Sequence, residues 1–265
     1  MSEARSSAPL ALVTGASGGI GEAFARVLAA DGYGLILVAR RESELNRVSG
    51  VLASRHQIQA TVFATDLTRA GATDELEAEL ADKGLVPDLL VNNAGFGLIG
   101  PATELDRAEQ LNILELNVLA LTDLSLRFGR TMRERGSGGI INVSSIAGYM
   151  PGPNMAVYYA SKAYITSFTL ALATELSQHG VRVSCVLPGV VPTGFHRRAG
   201  MESMSMLRRA PTLTPMQTAE LGYAGYKSGR TVIITGRMNR IMSRISRMVP
   251  HSILLPFLQR MNTVK

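Results

Sequence analysis

The sequence predicts a single α/β domain, a doubly wound parallel sheet of about seven strands with helices on both faces. Three observations predict it. Short apolar runs alternate with stretches of helical spacing, and the runs are almost continuously apolar, as strands buried on both sides must be. A chain of 265 residues that is 46% hydrophobic suits one large unit of this kind. The first apolar run also feeds directly into a glycine cluster that opens a helix.

That first unit is Leu10 to Leu28. The run of Leu10, Leu12 and Val13 stops at Thr14, gives way to Gly15, Gly18, Gly19 and Gly21, and continues as Ile20, Phe24, Val27 and Leu28 at helical spacing. Glycines let the chain turn sharply and let its backbone approach a ligand that a Cβ would hold off. The free N–H groups and positive dipole end of the following helix favour phosphate, so the expected ligand is a dinucleotide in a Rossmann-type fold. The spacing is G-x-x-x-G-x-G rather than the commoner G-x-G-x-x-G.

The remaining elements follow in alternation. Leu35–Ala39 reads as a strand and Glu42–Arg55 as a helix. Thr61–Thr65 is a third strand, with a polar helix from about Arg69 to Asp82, and Asp88–Asn92 is a fourth. Two helices cover Glu104–Arg135, ended by Gly136–Gly139. Ile140–Ser145 is a fifth strand, Met155–Gln178 a long helix and Val181–Leu187 a sixth strand. The stretch 190–214 has no period and contains Pro192, Gly194, Gly200 and Pro211, as a binding loop or lid would. Thr214-Pro215-Met216-Gln217 offers a capping box with proline at the first helical position, and Thr231–Thr235 reads as a seventh strand. Right-handed crossovers place ligands at the carboxyl ends of such strands.

Composition narrows the function classes. A lone cysteine, Cys185, lies in an apolar run and excludes a disulfide framework or a cysteine metal site, and the four histidines are scattered, so no metal is expected. No apolar run approaches the ~20 residues of a spanning helix, and the N-terminal stretch lacks a signal core, so a cytoplasmic protein is expected. The net charge of +6 is uneven. From Leu221 onward there are eight Lys or Arg and no Asp or Glu, which leaves the first 220 residues at −2, the difference between +6 and +8. Nucleic-acid binding by the domain is therefore not expected.

Tyr158 and Lys162 stand four apart on a helical stretch, so both face one side. A nearby ammonium stabilises phenolate and would poise the tyrosine as a general acid or base near neutral pH. Tyr159 lies three from Lys162, and spacing alone does not choose between the two tyrosines.

Several motifs together resemble the short-chain dehydrogenase/reductase superfamily in its single-domain form. They are TGASGGIG at Thr14–Gly21, Asp66 after the third strand, NNAG at Asn92–Gly95, Asn117 in LELNVLA, NVSS at Asn142–Ser145, YYASK at Tyr158–Lys162 and PGVVPT at Pro188–Thr193. They follow the family's order over roughly the first 195 residues. The resemblance selects Tyr158 over Tyr159 and Ser145 over Ser144. It implies a carbonyl held by Ser145 and Tyr158, a proton exchanged at Tyr158, and Lys162 lowering the tyrosine pKa while holding the nicotinamide ribose. Asn117 would keep a water in the proton relay. For cofactor binding it implies Gly15, Ser17, Gly18, Gly19, Ile20, Gly21, Asp66, Leu67, Asn93, Ala94, Gly95, Pro188, Gly189, Val191 and Thr193, besides Tyr158 and Lys162. A homodimer or homotetramer is also implied, with the Asn117 and Tyr158 helices as interface elements.

Cofactor choice falls on the end of the second strand. Ala39 is followed by Arg40 and Arg41 where NAD-preferring relatives carry an acidic residue, so two cations favour the 2′-phosphate of NADP(H). The alternative is that both arginines merely begin a solvated helix. For the substrate, Met201, Met204 and Met206 in the loop and Tyr149, Met150 and Met155 opposite it suggest an adaptable wall for a lipophilic ketone, aldehyde or ketoacyl group, unless the loop methionines only pack the lid. In the tail, Arg237, Arg240, Arg244 and Arg247 share one face while Met238, Ile241, Met242, Ile245, Met248 and Val249 fill another. Such a helix can pack on its own domain or a partner subunit, the reading preferred here, or lie on an anionic membrane surface. The sequence thus points to an NADP(H)-dependent carbonyl reductase or alcohol dehydrogenase. The rivals are a membrane-surface lipid or acyl ketoreductase and a protein that senses NADP without turnover.

Overall fold

In the computed structural model, residues 8–195, 199 and 212–262 are described. Seven parallel strands form one sheet in the order β3-β2-β1-β4-β5-β6-β7. They are β1 (Leu10–Thr14), β2 (Gly34–Ala39), β3 (Ala60–Ala64), β4 (Leu89–Asn92), β5 (Gly138–Val143), β6 (Val181–Leu187) and β7 (Val232–Ile234). The helices are α1 (Gly19–Ala30), α2 (Glu42–His56), α3 (Ala72–Asp82), α4 (Arg107–Leu114), α5 (Leu121–Arg135), α6 (Ala156–Ser177), α7 (Pro215–Lys227), α8 (Arg237–Met248) and α9 (His251–Met261).

The period-2 alternation of the strands sends apolar side chains to two separate cores. Ala11, Val13, Leu35 and Leu37 pack with Phe24, Leu28, Leu45 and Tyr223 on one face. Leu12, Ile36, Val38 and Leu90 pack with Leu76, Leu124, Phe128 and Leu172 on the other. Both faces are covered, which is why these strands carry almost no polar residues. Each fully buried Leu or Phe stabilises the fold by about 1.5–3 kcal/mol.

Where the structure departs from the sequence reading, capping geometry explains the change. β5 begins two residues early and ends at Val143, so Ser144 and Ser145 lie beyond the ladder. Ser145 instead caps a 3₁₀ turn over Ile146–Tyr149. α3 starts at Ala72 because Gly71 before it is left-handed, with φ of 75°. α4 and α5 are joined without a break by a π-helical turn over Glu115–Ala120. The capping box at α7 forms as read, with reciprocal bonds between Thr214 and Gln217 of 3.1 and 3.0 Å. Sheet order reverses between β1 and β4, and the carboxyl ends of these two strands flank the crevice where α/β folds bind ligands. Among the described residues no helix is long and apolar enough to cross a membrane.

Candidate active site

The switch-point crevice is built by two strand ends clamped together. Thr14 Oγ1 accepts from the Asn93 and Ala94 amides, each at 3.0 Å, and Asn93 Nδ2 donates back to the Thr14 carbonyl at 3.0 Å. The Asn93 amide lies so close to the turn that a Cβ on Gly21 would sit 2.5 Å from it and 2.3 Å from the Gly15 carbonyl oxygen. Gly15 adds a φ of 66°, the left-handed region that disfavours side chains. Gly21 serves this packing and does not line the cavity, whereas Gly15, Ser17, Gly18, Gly19 and Ile20 do. No side chain caps the start of α1, so its N–H groups remain open to an anion.

The same cavity, of about 1190 Å³, runs from this turn to the tail of the chain. At one end it is lined by Arg40, Arg41, Asp66 and Leu67. Arg41 donates to the Ser17 carbonyl at 2.9 Å and to its hydroxyl oxygen at 3.2 Å, and Arg40 lies 3.7 Å from Asp66. Burial opposes the charge on Asp66, but the Thr68 hydroxyl and amide, together with Arg40, hold its carboxyl below the usual range. In the middle lie Asn93, Ala94 and Gly95 on one side and Pro188, Gly189, Val191 and Thr193 on the other.

Ser145, Tyr158 and Lys162 meet at the carboxyl end of β5 and all line the cavity. Ser145 Oγ accepts from the Ala147 amide at 3.1 Å, which fixes it at the head of the 3₁₀ turn. Tyr158 and Lys162 project from α6 as i and i+4 partners, with Lys162 Nζ 5.9 Å from the Tyr158 ring centroid. Lys162 is buried, and Nζ donates to the Val143 carbonyl at 3.0 Å. Burial pulls the Lys162 ammonium down to about 8. Burial also pushes the Tyr158 phenol above its ordinary range, while a hydrogen bond with Ser145 acts the other way. The expected lowering of this phenol by Lys162 is therefore corrected: in the chain alone desolvation outweighs every neighbour.

Asn117 is fully buried in the π turn and does not line the cavity. Its side chain exchanges bonds with the Phe96 backbone at 3.1 and 3.0 Å and donates to Ser161 Oγ at 3.0 Å. Ser161 in turn donates to the Tyr158 carbonyl at 2.7 Å, so Asn117 is tied to the tyrosine's helix. Ser144 is buried, with its hydroxyl on the Lys162 carbonyl at 2.8 Å. Tyr159 also lines the cavity, but its ring meets Tyr158 edge-on at 6.0 Å and its hydroxyl bonds Asn262. Burial pushes the Cys185 thiol up to about 12, leaving it inert.

On the substrate side Met150 and Met155 line the cavity. Tyr149 does not, because the Arg247 guanidinium covers its ring 3.8 Å from the centroid. Met201, Met204 and Met206 lie outside the described residues. Sequence reasoning missed the rest of the wall. Phe96 and Phe195 contribute, and so do α8 and α9, through Met238, Met242, Ile245, Leu254 and Leu258 among others. It missed Gly97 as well, where a Cβ would sit 2.8 Å from the Tyr158 ring. The tail's apolar periodicity was the available signal, but periodicity does not say which surface a helix faces.

The short chain dehydrogenase family model matches residues 9–203. A very-long-chain 3-oxoacyl-CoA reductase of Pyrenophora tritici-repentis is 34% identical over 209 residues, 77% of this chain. The chain spans only 59% of that relative's length. A short-chain dehydrogenase from Sphingobium yanoikuyae in complex with NADPH superposes with a TM-score of 0.81 at 27% identity, covering 93% of this chain and 95% of that one. One from Burkholderia phymatum in complex with NAD gives a TM-score of 0.82 at 26% identity, covering 93% and 95%. The two solved neighbours carry different cofactors, so cofactor choice falls to this chain's own residues. On fold, motifs and family match together, the chain belongs to the short-chain dehydrogenase/reductase superfamily.

Proposed function

We propose that the chain is an NADP(H)-dependent oxidoreductase that interconverts a carbonyl and an alcohol, acting on a lipophilic ketone, aldehyde or ketoacyl substrate. The observation that carries this reading is the convergence of Ser145, Tyr158 and Lys162 on the cavity that also holds the glycine turn. The residues fit the cofactor: the open α1 N-terminus can take the pyrophosphate, and Arg40 and Arg41 offer guanidinium groups to a 2′-phosphate. Asp66 and Leu67 would flank the adenine. A bound nicotinamide supplies hydride.

The protein's share of the chemistry is positioning and proton transfer. Ser145 and Tyr158 hydroxyls polarise the carbonyl oxygen toward alkoxide, and Tyr158 delivers the proton in reduction. A phenol raised by burial is fully protonated at neutral pH, which suits reduction. Lys162, charged below about 8, would hold ribose hydroxyls while leaning on the Val143 carbonyl. Asn117 acts through Ser161 and the backbone of α6 as a positioning residue, and its Oδ1, which accepts from the Phe96 amide, keeps a second lone pair for the relay water the resemblance implies.

The apolar walls from α8, α9, Met150 and Met155 support a lipophilic substrate. A homo-oligomer through α4–α5 and α6 is supported by exposed Leu111, Leu119, Leu126, Tyr164 and Leu170 on those helices. The test is NADPH and NADH oxidation by purified protein with a panel of ketones, aldehydes and ketoacyl thioesters, beside Tyr158→Phe. Turnover with NADPH that disappears in the variant is the expected result.

A further inference from the structure

α8 packs on the domain with the wrong face for an ordinary amphipathic helix. Its buried residues are Ser243 and Ser246, and the half-buried Asn239 donates to the Thr235 carbonyl at 2.7 Å. Its apolar stripe points away from the core, with Ile241, Met242 and Ile245 about half exposed and Met248 83% exposed. α9 continues this surface with Ile253 and Phe257, 65% and 56% exposed. Arg237, Arg240 and Arg244 border it, and none has an acidic partner among the described residues.

We propose that this surface docks on an anionic lipid bilayer, with the cavity mouth facing the membrane. Met242, Ile245, Ile253 and Phe257 both line the cavity and stand exposed, so the cavity opens on this face. Substrate alone does not account for the stripe, because Ile241 and Met248 are exposed yet lie outside the cavity lining. A second copy is disfavoured by charge. Symmetric pairing would set one arginine row against another, and no acidic residue follows Leu221 to relieve it. An interfacial helix that buries its apolar face at headgroup depth, with arginines reaching anionic headgroups, satisfies both rows at once. The docking is independent of the reduction proposed above; only its use, delivering lipophilic substrate to the cavity, rests on that reading.

Sedimentation of the full chain with vesicles tests this. Binding is expected to phosphatidylcholine vesicles containing phosphatidylglycerol, to weaken with salt, and to be weak or absent with phosphatidylcholine alone. Arg240→Glu with Arg244→Glu should weaken it by about 30-fold or more, taking roughly 1 kcal/mol per cation lost. Ile241→Asp with Met248→Asp should abolish it, while NADPH binding in solution stays unchanged in both variants. No sedimentation with anionic vesicles, or variants that sediment like the parent, would overturn the proposal. So would a soluble dimer that Ile241→Asp dissociates, since the stripe would then be a subunit interface. Vesicle binding without any turnover would count against the reductase reading and leave the docking standing.

Discussion

Lys162 is buried and Tyr158 half-buried, and burial acts on them in opposite senses: the phenol is held protonated and the ammonium is pulled to about 8. Reduction needs both groups protonated, so its kcat/KM is expected to fall as pH rises through about 8, and a pH–rate profile checks it. The same shift carries a stability cost. An unfolded lysine titrates near ~10.4. Between about 8 and that value the unfolded chain holds a proton that the folded chain has released, so unfolding free energy rises with pH across the window. Below it the buried charge weakens the fold by a constant amount. Lys162→Met is therefore expected to raise Tm by a few degrees, corresponding to ~1–3 kcal/mol, while turnover is lost. Calorimetry beside an activity assay reads both. At the other end of the cavity, Arg40→Ala should raise the KM for NADPH by roughly 10–100-fold and leave the KM for NADH nearly unchanged.

At the scale of elements, the glycine turn and the π turn do the positioning. Gly21→Ala would drive a Cβ against the Gly15 carbonyl at 2.3 Å, where backbone cannot yield. A loss of about 1–3 kcal/mol in denaturant unfolding, with weakened NADPH binding, is the expected outcome. Gly97→Ala presses on the Tyr158 ring instead, and should lower kcat with a smaller change in stability. The β1–turn–α1 unit was legible in the sequence because apolar run, glycine spacing and helical period all change at Thr14. The end of β5 was not, since nothing in the composition of Asn142–Ser145 distinguishes a paired residue from one that caps a 3₁₀ turn. The seamless α4–α5 junction escaped for a similar reason: a π turn has no residue signature of its own.

Over the whole molecule, a two-sided parallel sheet converts a scattered set of motifs into one cavity at the strand ends. The strand–helix alternation made the parallel sheet legible, and the family's motif order made the Ser145–Tyr158–Lys162 cluster legible where spacing alone left Tyr158 and Tyr159 open. The substrate wall was less so, since α8 and α9 reach the cavity from the far end of the chain, and Tyr149 is drawn out of it by Arg247, a contact 98 residues distant that no local pattern announces. The central claim is that this cavity reduces carbonyls with NADPH, with Tyr158 as the proton donor. It is tested most directly by following NADPH oxidation with a lipophilic ketone or ketoacyl thioester, in the parent chain and in Tyr158→Phe. The account predicts turnover in the parent and a fall of ~100-fold or more in the variant, with NADPH still bound. Equal turnover in both, or tight NADPH binding without turnover on any carbonyl, would contradict it.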